Sequence, residues 1–340
     1  MAERRTRRDV LGTVAKVAAL TAVGAPACSK PGAEQHPPAT SAASAAQPAS
    51  APSEVPAATG APGALRTLGK TGAQVEVFSL GGEGILRTHG REREAVPMIL
   101  EALHLGVRYC DTAPAYAQSQ DYYGAAFREA GSGARDKVFL ASKVHERDRE
   151  PALRLLDDSL KRIGTDRLDL WQLHDLRTTD DLDRIFGKGG AIEAVEQAKA
   201  DKRVRFVGIT GHHDPDILVE AMRRYPVDTV LCAINPSDPR KKPFLSTVVP
   251  EARKRGVAII GMKVFGRGML VADGAASPAE LLRYAASVAD TCIIGCSSPS
   301  EVRENVIAAR SGLTPMKDEE RAALEGRIAP NASRYDSYKA

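Results

Sequence analysis

The 340-residue sequence has few aromatic residues and no long apolar run. It has one tryptophan, 5% aromatic residues and 43% hydrophobic residues. The mildly apolar stretch 10–24 includes Lys16 and is shorter than the roughly 20 residues that a membrane-spanning helix needs. This composition excludes collagen-like chains, fully disordered chains and multi-span membrane proteins. It predicts a globular domain with attached segments.

An excess of charge of one sign is also lacking. The chain has 47 lysines and arginines against 43 acidic residues, a formal net charge of +4. Residues 1–27 carry +3 of this charge, which leaves +1 for the rest. A nearly neutral body lacks the basic surface that contacts with nucleic acid phosphates require. We therefore exclude DNA or RNA binding as the main function and expect a small-molecule partner.

Cysteines are few and poorly spaced for a metal cluster. The five are Cys28, Cys110, Cys232, Cys292 and Cys296, and none forms a CxxC pair. Iron–sulfur and structural zinc sites need several ligands at close spacing, so the pattern argues against both, while a disulfide stays open. His212, His213 and Asp214 have metal-ligand side chains, but no further carboxylate is evident nearby. We expect no metal site.

The N-terminus has the features of an export signal. The segment Thr6-Arg7-Arg8-Asp9-Val10-Leu11 precedes the apolar run 10–24 and resembles the twin-arginine signal, whose pathway carries folded proteins. We expect residues 1–27 to direct export to the periplasm through the twin-arginine (Tat) machinery. A basic tail on an intracellular protein is the alternative.

Residues 28–64 have the composition of a linker. The run Ala25-Pro26-Ala27-Cys28 fits either cleavage before Cys28 or lipidation of that cysteine, which would make the protein a membrane-tethered lipoprotein. Residues 29–64 contain seven of the 21 prolines and no aromatic residue. Such a segment buries too little apolar area to offset its ordering entropy, so we expect an extended tether.

After residue 65, eight short β-rich runs alternate with segments of helical period. The runs cover residues 75–81, 107–111, 138–143, 168–174, 204–210, 229–235, 257–263 and 291–295, and the helical segments include 95–105, 151–163, 191–200, 217–223 and 279–287. Eight β-then-α units with nearly continuous apolar strands predict a (β/α)₈ TIM barrel over residues 65–315, followed by a helix and tail over 316–340. A doubly wound open sheet is the alternative, although residues 81–84 only weakly imitate its glycine-rich turn.

Reactive side chains follow three consecutive predicted strands. Asp111 ends the second strand with Tyr116 one loop further on, Lys143 ends the third and His174 ends the fourth. Each side chain alone has an ordinary structural explanation. The C-terminal ends of barrel strands form one rim, where barrel active sites lie. We therefore expect these four side chains to form the active site.

Four segments carry a family resemblance. They are Gly106-Val-Arg-Tyr-Cys-Asp111-Thr-Ala-Pro-Ala-Tyr116, Ser142-Lys143-Val144, Leu168-Asp-Leu-Trp-Gln-Leu-His174 and Gly208-Ile-Thr-Gly-His212. In this order and on these strands, they resemble the aldo-keto reductases over about residues 65–312. The resemblance implies that Tyr116 is a general acid, that Lys143 and Asp111 tune it, and that His174 orients the substrate carbonyl.

The residue types suit that chemistry. A phenol has a pKa near 10, and an adjacent ammonium such as that of Lys143 favours the phenolate and moves the pKa toward neutrality. Asp111 would keep Lys143 charged. The hydride must come from a bound nicotinamide, since no side chain supplies one. A Schiff-base role for Lys143, as in aldolase barrels, would leave Tyr116 without a purpose.

The resemblance also implies a dinucleotide site for NADP(H) or NAD(H). The corresponding positions are Gly82, Thr210, Gly211, Phe265, Gly266, Gly268, Gly295, Ser297, Glu301 and Asn305. Gly211, Leu231 and Lys263 depart from the usual family residues. Gly295 and Glu301 stand where many relatives carry Lys and Arg or Gln, so we expect weak discrimination between NADPH and NADH.

The expected function is an exported NAD(P)H-dependent reductase of small aldehydes or ketones. A cofactor-loaded sensor or binding module without turnover is the alternative. Residues 175–188 and 236–243 read as polar loops, and they do not identify the substrate. The oligomeric state is equally open.

Overall fold

The computed structural model describes residues 64–339 of the chain. The predicted signal segment 1–27, Cys28 and the linker as far as residue 63 lie outside this range, so these predictions stay untested. Over residues 64–339, none of the helices combines the length and apolar character needed to span a bilayer.

Eight parallel strands form a closed barrel around the core. They are β3 (Phe78–Gly84), β4 (Tyr109–Asp111), β5 (Phe139–Val144), β6 (Leu168–Leu173), β7 (Val204–Thr210), β8 (Thr229–Ala233), β9 (Ala258–Met262) and β10 (Thr291–Cys296). Each pairs with the next, and β10 closes the barrel against β3. Both strand faces are apolar because one packs inside the barrel, as Leu170 does, and the other packs under the helices, as Trp171 does. The predicted TIM barrel is confirmed, and the closure excludes an open sheet.

Amphipathic helices cover the outside of the barrel. They are α1 (Glu92–His104), α2 (Ser119–Ala130), α3 (Arg149–Ile163), α4 (Thr179–Phe186), α5 (Ala191–Ala200), α6 (Pro215–Arg224), α7 (Phe244–Arg255), α8 (Met269–Ala272), α9 (Pro278–Ala286), α10 (Pro299–Arg310), α11 (Asp318–Ile328) and α12 (Ala332–Tyr335). Local sequence sets several of their ends. Ser277 and Glu280 form a capping box that starts α9, and Gly164 in a left-handed conformation ends α3.

The first predicted strand, 75–81, is wrong in its bounds, whereas the other seven lie within two residues of the prediction. Gln74–Val75 (β2) instead pairs with Arg66–Thr67 (β1) in an antiparallel hairpin. Leu68 and Val75 of this hairpin are buried with the residues that fill the barrel interior. The chain therefore closes one end of the barrel before the first barrel strand begins at Phe78.

Of the two segments predicted as polar loops, residues 175–188 are wrong, whereas residues 236–243 form turns and one short 3₁₀ helix, Asp238–Arg240. Residues 175–188 contain α4, which begins where the Thr178 hydroxyl accepts a hydrogen bond from the Asp181 N–H at 3.1 Å. Leu182 and Ile185 of α4 are fully buried. In residues 236–243, Asp238 is also fully buried. Tertiary packing therefore buries single side chains in both segments despite their polar composition.

The C-terminal segment packs against the end of the barrel that follows β8. The Asn235 amide donates to the Tyr338 hydroxyl at 2.7 Å, and Lys339 Nζ lies 2.5 Å from Asp238 Oδ1. Arg334 pairs with Asp273 in the loop after α8. The tail thus contacts the rim on which the predicted active-site residues lie.

Candidate active site

The four predicted catalytic side chains lie together at the C-terminal ends of β4, β5 and β6. Asp111 is the last residue of β4, Lys143 belongs to β5, and His174 directly follows β6. Tyr116 reaches the same place from the loop between β4 and α2. Asp111 and Lys143 are fully buried and Tyr116 nearly so, whereas His174 is partly exposed.

Lys143 is held by two oxygen atoms. Its Nζ donates to Asp111 Oδ2 at 2.5 Å and to the Thr112 carbonyl at 2.9 Å. Burial lowers the pKa of Lys143 and raises that of Asp111, while their mutual attraction opposes both shifts. The second oxygen, Asp111 Oδ1, makes no hydrogen bond of good geometry within residues 64–339, although the Gly82 N–H acts on this carboxylate and lowers its pKa. A fully enclosed ammonium paired in this way is unsuited to Schiff-base formation, because that reaction needs an accessible neutral amine.

Tyr116 lies between a cation and an imidazole. Lys143 Nζ is 4.5 Å from the centre of its ring, and the His174 ring meets it edge-on at 5.8 Å and 84°. Burial and then the Asp111 carboxylate raise the pKa of Tyr116 well above its ordinary value. In the unliganded site burial and Asp111 therefore outweigh any lowering of this pKa by Lys143, whose ammonium donates to Asp111 and Thr112. The phenol is protonated at neutral pH.

His174 is a neutral imidazole on a firmly held backbone. Burial, followed by the charge of Lys143, holds its pKa well below the ordinary range. Its N–H donates to the Val144 carbonyl at 2.8 Å, and its carbonyl accepts from Arg147 Nη1 at 2.9 Å. Arg147 also donates to Asp181 Oδ1 at 3.0 Å. Sequence reasoning missed Arg147, whose only sequence signal is a cation shortly after the β5 strand end.

A cavity of about 700 Å³ extends from Tyr116 along the rim between β3, β9 and β10. Six of the ten predicted cofactor positions line it: Phe265, Gly268, Gly295, Ser297, Glu301 and Asn305. A volume of this size is typical of small-molecule and cofactor sites. The cavity therefore joins the predicted catalytic and cofactor residues in one space.

The other four predicted cofactor positions are not part of the cavity lining. A Cβ atom at Gly82 would lie 2.6 Å from Tyr116 Cδ2, so the absence of a side chain there lets the Tyr116 ring pack. The Thr210 hydroxyl accepts from the Asp175 N–H at 2.9 Å, and the Gly211 N–H donates to Leu231 at 3.2 Å. Gly266 occupies a turn at φ +55°. These residues shape the rim, and their contact with a cofactor stays a prediction.

Charged side chains that the sequence did not single out as site residues line or approach the cavity. Lys263 Nζ lies 3.1 Å from Glu83 Oε1, which joins the ends of β9 and β3. Burial raises the pKa of Glu83, but Lys263 and Arg87 together bring it below its ordinary value. Arg267 lines the same space. Glu83 and Lys263 stand at the ends of apolar strand runs, the same signal as that of Lys143, whereas Arg267 lies in the loop that follows β9.

The N-terminus of α10 carries its own carboxylate. Glu301 Oε2 accepts from the Ser297 N–H at 2.8 Å, and the Glu301 N–H donates to the Ser298 hydroxyl at 3.2 Å. Helix N-termini favour anions, including phosphate groups. The Glu301 carboxylate therefore occupies a position where a phosphate of a ligand would otherwise be favoured.

The grouping of His212 and His213 with Asp214 is wrong in its third member. Asp214 caps α6, accepting from the Asp216 N–H at 3.0 Å, and pairs with Lys242 at 2.6 Å. Asp175, which follows His174, instead faces both imidazoles. Asp175 at the end of the neighbouring strand therefore supplies the carboxylate that the sequence did not show near the two histidines. The lack of such a carboxylate no longer argues against a metal site.

Comparison with known proteins gives consistent results. A family profile described as "Aldo/keto reductase family" matches residues 78–280, more than half of the chain. L-galactose dehydrogenase of Arabidopsis thaliana is 28% identical over 293 residues, covering 72% of this chain and 87% of that protein. Pyridoxal 4-dehydrogenase of Microbacterium luteolum is 25% identical over 323 residues, covering 71% and 92%.

The fold has counterparts among solved structures. The holo form of an aldo-keto reductase from Bacillus halodurans superimposes with a TM-score of 0.64 at 25% identity. The match covers 77% of this chain and 95% of that one. The similarity therefore spans nearly the whole of the other barrel.

Proposed function

Because the chain belongs to the aldo/keto reductase family and is an NAD(P)-dependent oxidoreductase, we propose that it reduces a small aldehyde or ketone by hydride transfer from a nicotinamide dinucleotide. The observation that carries this proposal is the position of Tyr116. It borders the cavity, above the buried Lys143–Asp111 pair and beside the His174 imidazole.

Three side chains divide the proton chemistry. Tyr116 gives its proton to the carbonyl oxygen, and its raised pKa means that the proton is present at neutral pH. His174 is neutral and donates a hydrogen bond to the same oxygen, which fixes the carbonyl. Lys143, 4.5 Å from the ring centre, stabilises the phenolate that forms when the proton has left. Asp111 keeps this lysine charged.

The cavity can hold a dinucleotide through Phe265, Gly268, Ser297 and Asn305. Its lining contains two cations, Lys263 and Arg267, and three carboxylates, of which Glu83 pairs with Lys263. Arg267 is therefore the cation in the lining that we expect to meet a phosphate. When bound, the nicotinamide supplies the hydride that side chains lack. The carboxylate of Glu301 opposes a 2′-phosphate, which favours acceptance of both NADH and NADPH.

The test identifies bound ligand first and turnover second. The purified full chain is denatured and any released dinucleotide is identified by mass spectrometry. Aldehydes and ketones are then screened with nicotinamide deuterated at the transferring carbon, and quinones are screened by oxidation of the reduced dinucleotide. Deuterium at the product carbinol carbon supports the proposal. A folded chain that binds dinucleotide but transfers no deuterium to any carbonyl is instead a sensor or binding module.

We also propose that residues 1–27 direct Tat export and that the cofactor is loaded before export. The support is the Arg7-Arg8 pair and the composition of residues 28–64. Replacing Arg7 and Arg8 by lysine should leave the chain in the cytoplasm, as cell fractionation would report. Unchanged export of the Lys-Lys variant contradicts the signal. Lipid on Cys28, or its absence, is read from the mass of the exported chain.

Retention of the cofactor during and after export requires very tight binding. Holding it for an hour needs a dissociation rate of about 10⁻⁴ s⁻¹, which at an association rate of about 10⁶ M⁻¹s⁻¹ gives a Kd of about 10⁻¹⁰ M. Such tight binding would also require a redox partner that re-reduces the cofactor in place. A micromolar Kd for the mature protein contradicts retention without affecting the proposed chemistry.

A further inference from the structure

We propose that Asp175, His212 and His213 bind one divalent transition-metal ion of the zinc class. Asp175 follows β6, and the two histidines follow β7, the next strand of the barrel. Because neighbouring parallel strands end at the same rim, the three side chains meet beside the active site without being part of its proton chemistry. The proposal goes beyond the reductase function and does not depend on it.

The distances suit a small metal ion. His212 Nδ1 is 3.4 Å from Asp175 Oδ1, and His213 Nε2 is 3.7 Å from the same oxygen. One ligand atom from each residue can be chosen so that all three lie within 4.8 Å of one another. Two ligands bound to zinc at about 2.1 Å with a tetrahedral angle are about 3.4 Å apart. The two Asp175–histidine distances therefore need only a small contraction to reach the spacing around a zinc ion.

Two of the ligand atoms lack any other partner. Asp175 Oδ1 and His213 Nε2 are shielded from solvent, and neither makes a hydrogen bond with the residues described. Shielded polar atoms without partners are rare in folded proteins, and their separation of 3.7 Å is too long for a hydrogen bond between them. One metal ion would satisfy both.

The surroundings of Asp175 aim this oxygen at the histidines. Arg177 donates to the other oxygen, Oδ2, from Nη2 at 2.5 Å and Nε at 2.8 Å. The Asp175 N–H donates to Thr210, and its carbonyl accepts from Arg147. Such hydrogen bonds behind a ligand orient it toward a metal. The ligand side chains are between 21% and 25% exposed, which leaves an entry path and room for a water ligand.

The ligand types select the class of metal. Two imidazole nitrogens and one carboxylate oxygen suit zinc and its transition-metal neighbours, whereas magnesium and calcium prefer shells made of oxygen. Three protein ligands also leave a fourth position open. The ion would take water, or an oxygen of a bound ligand, in that position.

The test measures metal binding directly, without dinucleotide. The untagged full chain is stripped with a chelator and titrated with ZnCl₂ by calorimetry and with CoCl₂ by visible absorption. We expect one ion per chain and the intense cobalt bands of a four-coordinate site. His213→Ala and Asp175→Asn should each weaken zinc binding by about 100-fold or more. His89→Ala, which removes an exposed histidine elsewhere, should leave the affinity unchanged.

A conservative variant and its thermal midpoint separate loss of the metal site from misfolding. His213→Gln retains bulk and polarity, so loss of binding in this variant at an unchanged thermal midpoint excludes misfolding as the cause. Binding with the same affinity in wild type, His213→Ala and His213→Gln overturns the proposal, because the ion then lies elsewhere on the chain. Absence of any binding overturns it too. Neither result bears on carbonyl reduction, which is measured separately.

Discussion

Two buried lysine–aspartate pairs in this molecule have the same closest distance but differ in their hydrogen bonding. Lys143 with Asp111 and Lys339 with Asp238 each have a closest N–O distance of 2.5 Å, and all four side chains are fully buried. The first pair lies at the barrel rim among the proposed catalytic residues. The second attaches the C-terminal tail to the segment that follows β8.

Their hydrogen bonding separates the two pairs. Lys339 Nζ also donates to the carbonyls of Asp238, Lys241 and Lys242, and Asp238 Oδ2 accepts from the Leu245 N–H. Lys143 donates to one carbonyl, and Asp111 Oδ1 lacks a hydrogen bond of good geometry, although the Gly82 N–H acts on this carboxylate. The Lys339 pair therefore has more hydrogen bonds that fix the structure. Lys143 also lies 4.5 Å from the centre of the Tyr116 ring, where its charge acts on the phenol.

The largest expected effect is on the rate of reduction, and it separates Tyr116, beside Lys143, from Tyr338, beside Lys339. Tyr116→Phe should lower the rate of carbonyl reduction by about 10² to 10⁴, because it removes the general acid. Tyr338→Phe removes a hydrogen bond to Asn235 and should cost about 1 kcal/mol of unfolding free energy, with turnover retained. Single-turnover rates at saturating dinucleotide measure the first effect, and urea unfolding measures the second. Similar losses of rate in both variants would remove the distinction.

The next effect concerns stability. Lys339→Met leaves the Asp238 carboxylate buried and unpaired, and should lower the unfolding free energy by about 3 to 5 kcal/mol. Turnover per folded molecule should be unchanged. Adding Asp238→Asn removes the stranded charge, so the double variant should recover most of the loss in urea unfolding. A double variant as unstable as Lys339→Met would show that the ion pair is not the cause.

A smaller effect is expected at the far end of the cavity. Glu301→Arg should raise the preference for NADPH over NADH, measured as the ratio of kcat/KM values, by about fivefold, since exposed charges are screened by solvent. Glu301→Gln keeps an acceptor for the Ser297 N–H and separates the charge from the hydrogen bond. A wild-type preference for NADPH of about a thousandfold would contradict this role of Glu301.

The smallest expected effect is a flat pH profile for reduction. The pKa of Tyr116 is raised, so the acid form persists at every pH below that value and is lost only above it. We expect kcat for reduction to change by less than about twofold between about pH 6 and pH 9, and the reverse oxidation to rise with pH. A decrease in the reduction rate centred near pH 8 would mean that Lys143 lowers this pKa in the liganded enzyme.

The sequence predicted most of the barrel and the group of four rim residues to which Tyr116 belongs. Apolar β-runs and helical periods are local signals, and a parallel barrel places every strand end on one rim. It failed where local signals mislead. Val75 has the pattern of the first barrel strand but belongs to the hairpin that precedes the barrel. Residues 175–188 are polar in composition but contain the packed helix α4.

The sequence by itself determined the fold, the family and the approximate ends of seven of the eight barrel strands, because these depend on residue type and spacing along the chain. Only the tertiary structure decided which strand-end residues meet and in what state. It brings together Asp175 and His213, which follow two neighbouring strands. It also brings together Lys339 and Asp238, which are 101 residues apart in the sequence. It also buries Tyr116 enough to keep its proton. Contacts between distant segments and the burial of a charge depend on how loops fold back over the rim, and no periodic pattern in the sequence encodes that path.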